Sequence, residues 1–251
     1  MARNSNDKMC LNCDTVVSGK FCSNCGQSID THRFQPMHVF THDFLKKVFY
    51  FDKGLFYSIK ELFTRPGHSV REYIEGKRVN HLPYFSLIII VIIFFKMIED
   101  ITPFHYADLT DQNKEMLDFV EQTIKRHAKL FYLGIIPLYA LFSFLMFRKA
   151  KLNYSEHFVI NTFRTSAFLL MNIMFLVMAS LLRNTTIILP INRALTWIML
   201  AYGTWFYYQY FSLYYTRKLL LVLRSLLAVT LPMILVLLGV IFYLSFLFHL
   251  V

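Results

Sequence analysis

Four cysteines lie in two matching turns, Cys10-Leu-Asn-Cys13 and Cys22-Ser-Asn-Cys25, and the sequence has no others. A CxxC turn brings two thiolates to one side of an ion, and a second turn completes a tetrahedral set suited to Zn²⁺. Gly19 and Gly26 stand where the chain must bend before and after the second pair. The alternatives are two disulfides or two redox pairs, which a reducing cytosol disfavours. Cys10, Cys13, Cys22 and Cys25 are therefore expected to form a structural zinc ribbon within residues 1–31. Four thiolates close the coordination shell, so the site would fold and dock the segment, leaving no position for a substrate. So short a module cannot build an apolar core, and metal binding is expected to supply most of its folding energy.

A second set of polar residues sits in an apolar setting. Asn161, Arg164, Thr165 and Asn172 fall near helical spacing, interrupted by Phe168. An arginine about two turns inside a membrane faces protein, water or lipid phosphate. Its expected partners are Glu156, backbone carbonyls, or tyrosines and Gln209 from the following helix. One reading is a substrate or lipid-headgroup site lined by Arg164. The other is an interhelical clamp, or a side chain snorkelling to the inner face. Glu156 and His157, beside Asn153, form an acid/base pair that either does chemistry or simply starts a helix. His38 and His42 are four residues apart but lack a third ligand, which favours solvated or lipid-facing histidines. No Walker loop, dinucleotide fingerprint, nucleophile elbow or HExxH pair occurs.

The elements that must position these residues follow from composition. Hydrophobic residues make up 56% of the 251, with 26 phenylalanines, and mean hydropathy is +0.44, which points to a polytopic all-α membrane protein. The net charge of +10 then reads as cytosolic Lys and Arg holding topology and touching anionic lipid. The opening residues lack an apolar signal-peptide core, so the N-terminus is expected in the cytosol. Residues 84–251 are expected to make a five-span bundle, at about 84–98, 130–147, 158–182, 194–215 and 226–250. Arg148, Lys149, Lys151, Arg217 and Lys218 fall in the expected inner loops, and Glu99, Asp100, Asp108, Asp111, Glu115, Asp118 and Glu121 in the first outer one. This bias puts the N-terminus inside and the C-terminus outside.

Residues 32–83 read as an amphipathic neck. Apolar residues from Phe34 to Phe51 and from Leu55 to Phe63 suggest two helices broken at Asp52-Lys53-Gly54. These lie either at the lipid headgroups or against the bundle's inner end. Arg65-Pro66-Gly67 is expected to end the second, with Ser69 or His68 capping a short third helix over Val70–Ile74, stopped at Gly76-Lys77-Arg78. The ribbon, Asp52-Lys53-Gly54, Arg65-Pro66-Gly67, Tyr73, Gly76-Lys77-Arg78 and Pro83 together resemble a family of uncharacterised bacterial membrane proteins, a domain of unknown function common in Bacteroidota and Proteobacteria. The resemblance covers residues 10 to about 85, then rests on Asn153-Tyr-Ser-Glu-His157, and implies topology and zinc binding but no activity. The layout is also loosely similar to the Yip family of trafficking proteins, an analogy of fold alone.

The function expected is a non-enzymatic accessory or scaffold protein whose ribbon and neck dock a membrane or cytosolic partner. The alternatives are a transporter or lipid-binding protein using the polar stripe, or a membrane enzyme at Glu156 and His157. Few Arg or aromatic residues surround the cysteines, so no nucleic-acid partner is expected.

Overall fold

The computed structural model describes residues 8–31, 34, 54–102, 104–105, 114–126, 128–182 and 185–249. The first expected neck helix, with His38 and His42, lies outside them, apart from Phe34. The ribbon opens with β1 (Lys8–Met9) paired antiparallel to β2 (Val16–Val17). The rest is helical: α1 (Gly54–Thr64), α2 (Pro66–Glu75), α3 (Tyr84–Ile101), α4 (Lys114–Arg126), α5 (Ala128–Met146), α6 (Tyr154–Leu182), α7 (Thr185–Phe211) and α8 (Lys218–His249).

Helix α6 is central, packed against α3, α5 and α7, while α8 lies on α5 and α7. Its residues Val159, Ile160, Phe163 and Ala167 are fully enclosed. The turn before it ends on Lys151 in the left-handed region (φ 53°). Asn153 then caps the helix: Glu156 N–H donates to Asn153 Oδ1 (2.9 Å), and Asn153 N–H to Glu156 Oε2 (2.8 Å). That reciprocal cap satisfies two otherwise orphaned donors.

Two helices, Tyr154–Leu182 and Lys218–Tyr243, are long and apolar enough to cross a membrane, and Leu133–Met146 is a shorter apolar helix. The five expected crossings are thus not all supported among the described residues, and several edges move. The 18-residue α3 spends its last turn on Lys96, Glu99 and Asp100, with Lys96 Nζ 3.1 and 2.7 Å from the two carboxylates. The expected loop before residue 194 is instead the first part of α7, which carries Pro190 and Arg193 within the helix. Helix α8 starts at Lys218 rather than near residue 226. Pro190 and Arg193 in α7, and Lys218 and Arg224 in α8, interrupt the apolar runs without interrupting the helices, so a reading by apolar runs sets the edges too late.

The neck departs from expectation at Arg65-Pro66-Gly67. Arg65 is the N-cap, and Pro66 opens α2 at a position where its missing N–H costs nothing. The motif therefore starts a helix, and neither His68 nor Ser69 caps it. Gly76 closes α2 in the left-handed region (φ 119°), its N–H reaching Glu72 O and Tyr73 O. Beyond it, His81 is sandwiched by Tyr57 and Tyr73, with ring centroids at 5.0 and 5.5 Å, and burial pushes its imidazole down to about 4. The unfolded chain takes up that proton near pH ~6.5 and the folded one only near 4, so stability is lost as pH falls through this window. Thermal unfolding should lose up to about 1.4 kcal/mol per pH unit more steeply in the parent protein than in His81→Gln; equal slopes would refute it.

Candidate functional site

The two cysteine turns are built alike. Cys10 N–H donates to Thr15 O and Asp14 N–H to Cys10 O, while Cys22 N–H donates to Gln27 O and Gly26 N–H to Cys22 O, all at 2.9 Å. Asp14 (φ 57°) and Gly26 (φ 74°) hold the same left-handed corner after each pair. The four Sγ atoms lie within 4.8 Å of one another, with Cys10–Cys25 and Cys13–Cys22 both at 3.5 Å. Four cysteines in this cluster can hold a metal ion. Hydrogen bonding from Thr15 pulls the Cys13 thiol down to about 6, whereas desolvation pushes Cys25 up to about 12. Crowded thiolates repel one another, and a cation at their centre would remove that conflict.

The ribbon is seated on the neck motif. Gln27 is buried, its Nε2 donates to Gly76 O (2.8 Å), and its Oε1 accepts from Arg78 N–H (3.2 Å). A Cβ on Gly76 would stand 2.7 Å from Leu11 Cδ1 of the first cysteine turn. Arg78 lies over the Phe34 ring (4.0 Å) and donates through Nε to Tyr73 O. Lys77 is exposed, and its N–H completes the helix stop on Glu72 O.

The other end of α2 is locked into α7. Gly67 N–H donates to Gln209 Oε1 (3.1 Å), and a Cβ on Gly67 would fall 2.3 Å from Tyr210 N and 2.4 Å from Phe206 O. Arg71 Nη1 reaches the carbonyls of Gln209 and Tyr210 (3.3 and 3.1 Å), closing the C-terminal end of α7. Arg65 forks onto Glu72 (3.2 Å twice) and meets Glu61 (2.5 Å). Arg71 and Gln27 were not singled out from sequence. Gln27 follows directly on Cys25-Gly26, where a buried amide could have been sought.

Within the bundle, the expected stripe divides. Asn161 Nδ2 donates to Ser143 Oγ (2.9 Å) and His157 O (2.8 Å), while its Oδ1 accepts from Tyr207 OH (2.5 Å) and Arg164 Nε (3.3 Å). His157 Nδ1 lies 2.9 Å from Ser143 Oγ, linking α5 and α6. Asn172 stands apart, bonded to Phe168 O and Met199 Sδ. Glu156 serves the helix cap, and Gln209 serves Gly67. Neither forms an ion pair or hydrogen bond with Arg164. His157 is fully buried and turned toward Ser143, so the neighbours Glu156 and His157 serve separate structural contacts. Ser143 was not picked out as a partner, because it joins the network through folding alone, whereas Tyr207 is one of the tyrosines expected from the following helix, its hydroxyl on Asn161 and its ring 5.7 Å from Arg164 Cζ.

The profile of a family described as "Protein of unknown function (DUF3667)" matches residues 52–95. The match spans α1, α2 and the start of α3, including Arg65-Pro66-Gly67 and Gly76-Lys77-Arg78, and begins after the ribbon. No curated protein and no solved structure matches the chain.

Proposed function

We propose that this protein is a non-enzymatic accessory or scaffold protein of a bacterial inner membrane, whose ribbon and neck dock a membrane or cytosolic partner. The observation that carries this reading is the ribbon's two-sided position. Gln27 and Leu11 fasten it to Gly76 and Arg78, while Met9, Val16 and Phe21 remain exposed on it. Apolar side chains left exposed on a module this small suit a contact surface better than a core.

Zn²⁺ is the metal proposed for the cysteines. Tetrahedral Zn–S bonds of ~2.3 Å separate sulfurs by about 3.8 Å, and the sulfur pairs at 3.5 Å fit that spacing. A closed shell of thiolates supplies structure, not a reactive position.

The membrane reading places α3, α5, α6, α7 and α8 across the bilayer, with the N-terminus cytosolic and the C-terminus outside. Exposed Ile93, Phe94, Met174, Leu181, Trp197 and Phe242 support it, because water does not favour such faces. Basic Arg148, Lys149 and Lys218 at the proposed inner face suit anionic lipid.

A photo-crosslinking residue placed at Phe21 in intact cells should trap one discrete protein adduct, which Cys22→Ser abolishes. A ribbon that labels only lipid or its own chain would end the scaffold reading.

A further inference from the structure

Arg164 is 1% exposed, and its Nη1 has no hydrogen-bond partner among the described residues. Its Nε bond to Asn161 Oδ1 is long (3.3 Å) and shares that oxygen with the Tyr207 hydroxyl. No described carboxylate forms an ion pair with it. Tyr139 and Phe168 cover the guanidinium at 3.9 and 4.6 Å from Cζ to ring centroid. Aromatic faces stabilise a cation but cannot accept its in-plane N–H bonds. A buried charge left in this state is strongly unfavourable unless an anion completes it.

We propose that Arg164 is the receptor for a phosphate-bearing anion, either an anionic lipid headgroup or free phosphate. A guanidinium edge matches two phosphate oxygens at once, which a point-charge lysine does not. The depth suits a headgroup. From Arg164 to the far end of α6 is about 27 Å at 1.5 Å per residue, close to one hydrocarbon thickness. With the N-terminus inside, the guanidinium then stands at the inner edge of the hydrocarbon, within a side chain's reach of the inner-leaflet phosphates. The headgroup source rests on the membrane reading above; free phosphate does not.

The test uses the purified full-length protein in neutral detergent, with thermal unfolding and native mass spectrometry as readouts. The probes are phosphatidylglycerol and inorganic phosphate, each against chloride of equal ionic strength. Stabilisation of the parent protein, weakened about tenfold or more in apparent affinity by Arg164→Met, is expected. A response to phosphatidylglycerol alone assigns a lipid headgroup; an equal response to phosphate assigns a free anion. Should Arg164→Met fail to fold, Arg164→Lys keeps the charge without the fork and should also bind more weakly. A parent protein that responds to neither probe, or a variant that responds as the parent does, overturns the proposal. Release of the chain from membranes by alkaline carbonate would remove the membrane reading while leaving the phosphate arm standing.

Discussion

The parent protein should purify with a bound metal and Cys22→Ser without it, and the first ~30 residues of the variant should become open to protease. Cys22 is buried, and its sulfur lies 3.5 Å from Cys13 Sγ, so a serine removes one ligand and opens the cluster. Structural zinc contributes roughly 10–16 kcal/mol of apparent binding energy at neutral pH, far more than two short strands and the buried Val17 can replace. The helical part should keep its own thermal transition, since the contacts of α6 with α3, α5 and α7 do not involve the ribbon. Metal content by mass spectrometry and limited proteolysis read the two effects separately. An unchanged metal content would refute the assignment of the four cysteines. Loss of metal together with collapse of the bundle would refute the independence of the two parts.

The second large effect is expected at Gly67. A methyl group there would meet backbone atoms of α7 at 2.3 and 2.4 Å, and backbone cannot rotate away as a side chain can. Gly67→Ala should force α2 off α7, weaken the Gly67–Gln209 bond and draw Arg71 from the carbonyls it caps. The cost should reach about 3 kcal/mol, the upper part of the overpacking range. Gly134 in α5 provides the control, because a Cβ there meets nothing within 4 Å. Gly134→Ala should instead gain roughly 0.5–1 kcal/mol through helix propensity. Denaturation of both variants in the same detergent checks the opposite signs; equal effects would show that α2 and α7 do not approach so closely.

What could be read from the sequence was whatever is decided within a few residues. The CxxC spacing sets the ribbon because each turn closes on itself, and Gly76 stops α2 through its own backbone conformation. The long apolar runs located the helices but not their limits. Arg193 and Lys218 were read as loop residues, yet each lies within a helix. Arg65-Pro66-Gly67 was read as a stop because proline ends helices from within, whereas at the first position it begins one. The stripe on α6 was half legible. Its residues share a helical period, but their partners Ser143 and Tyr207 stand 18 and 46 residues from Asn161. Glu156 was expected to answer the charge of Arg164, and a bond to the backbone three residues away took it first.

The two glycines at the ends of α2 set a ruler. Gly67 and Gly76 are nine residues apart, and at about 100° each this leaves them half a turn out of phase. One opens a notch for α7 and the other for Leu11 of the ribbon, on opposite sides of the same short rod. Inserting or deleting a single residue between them would swing one notch through more than a quarter circle and leave its neighbour facing a side chain. The number of residues between the two glycines is therefore as much a part of this junction as the glycines themselves.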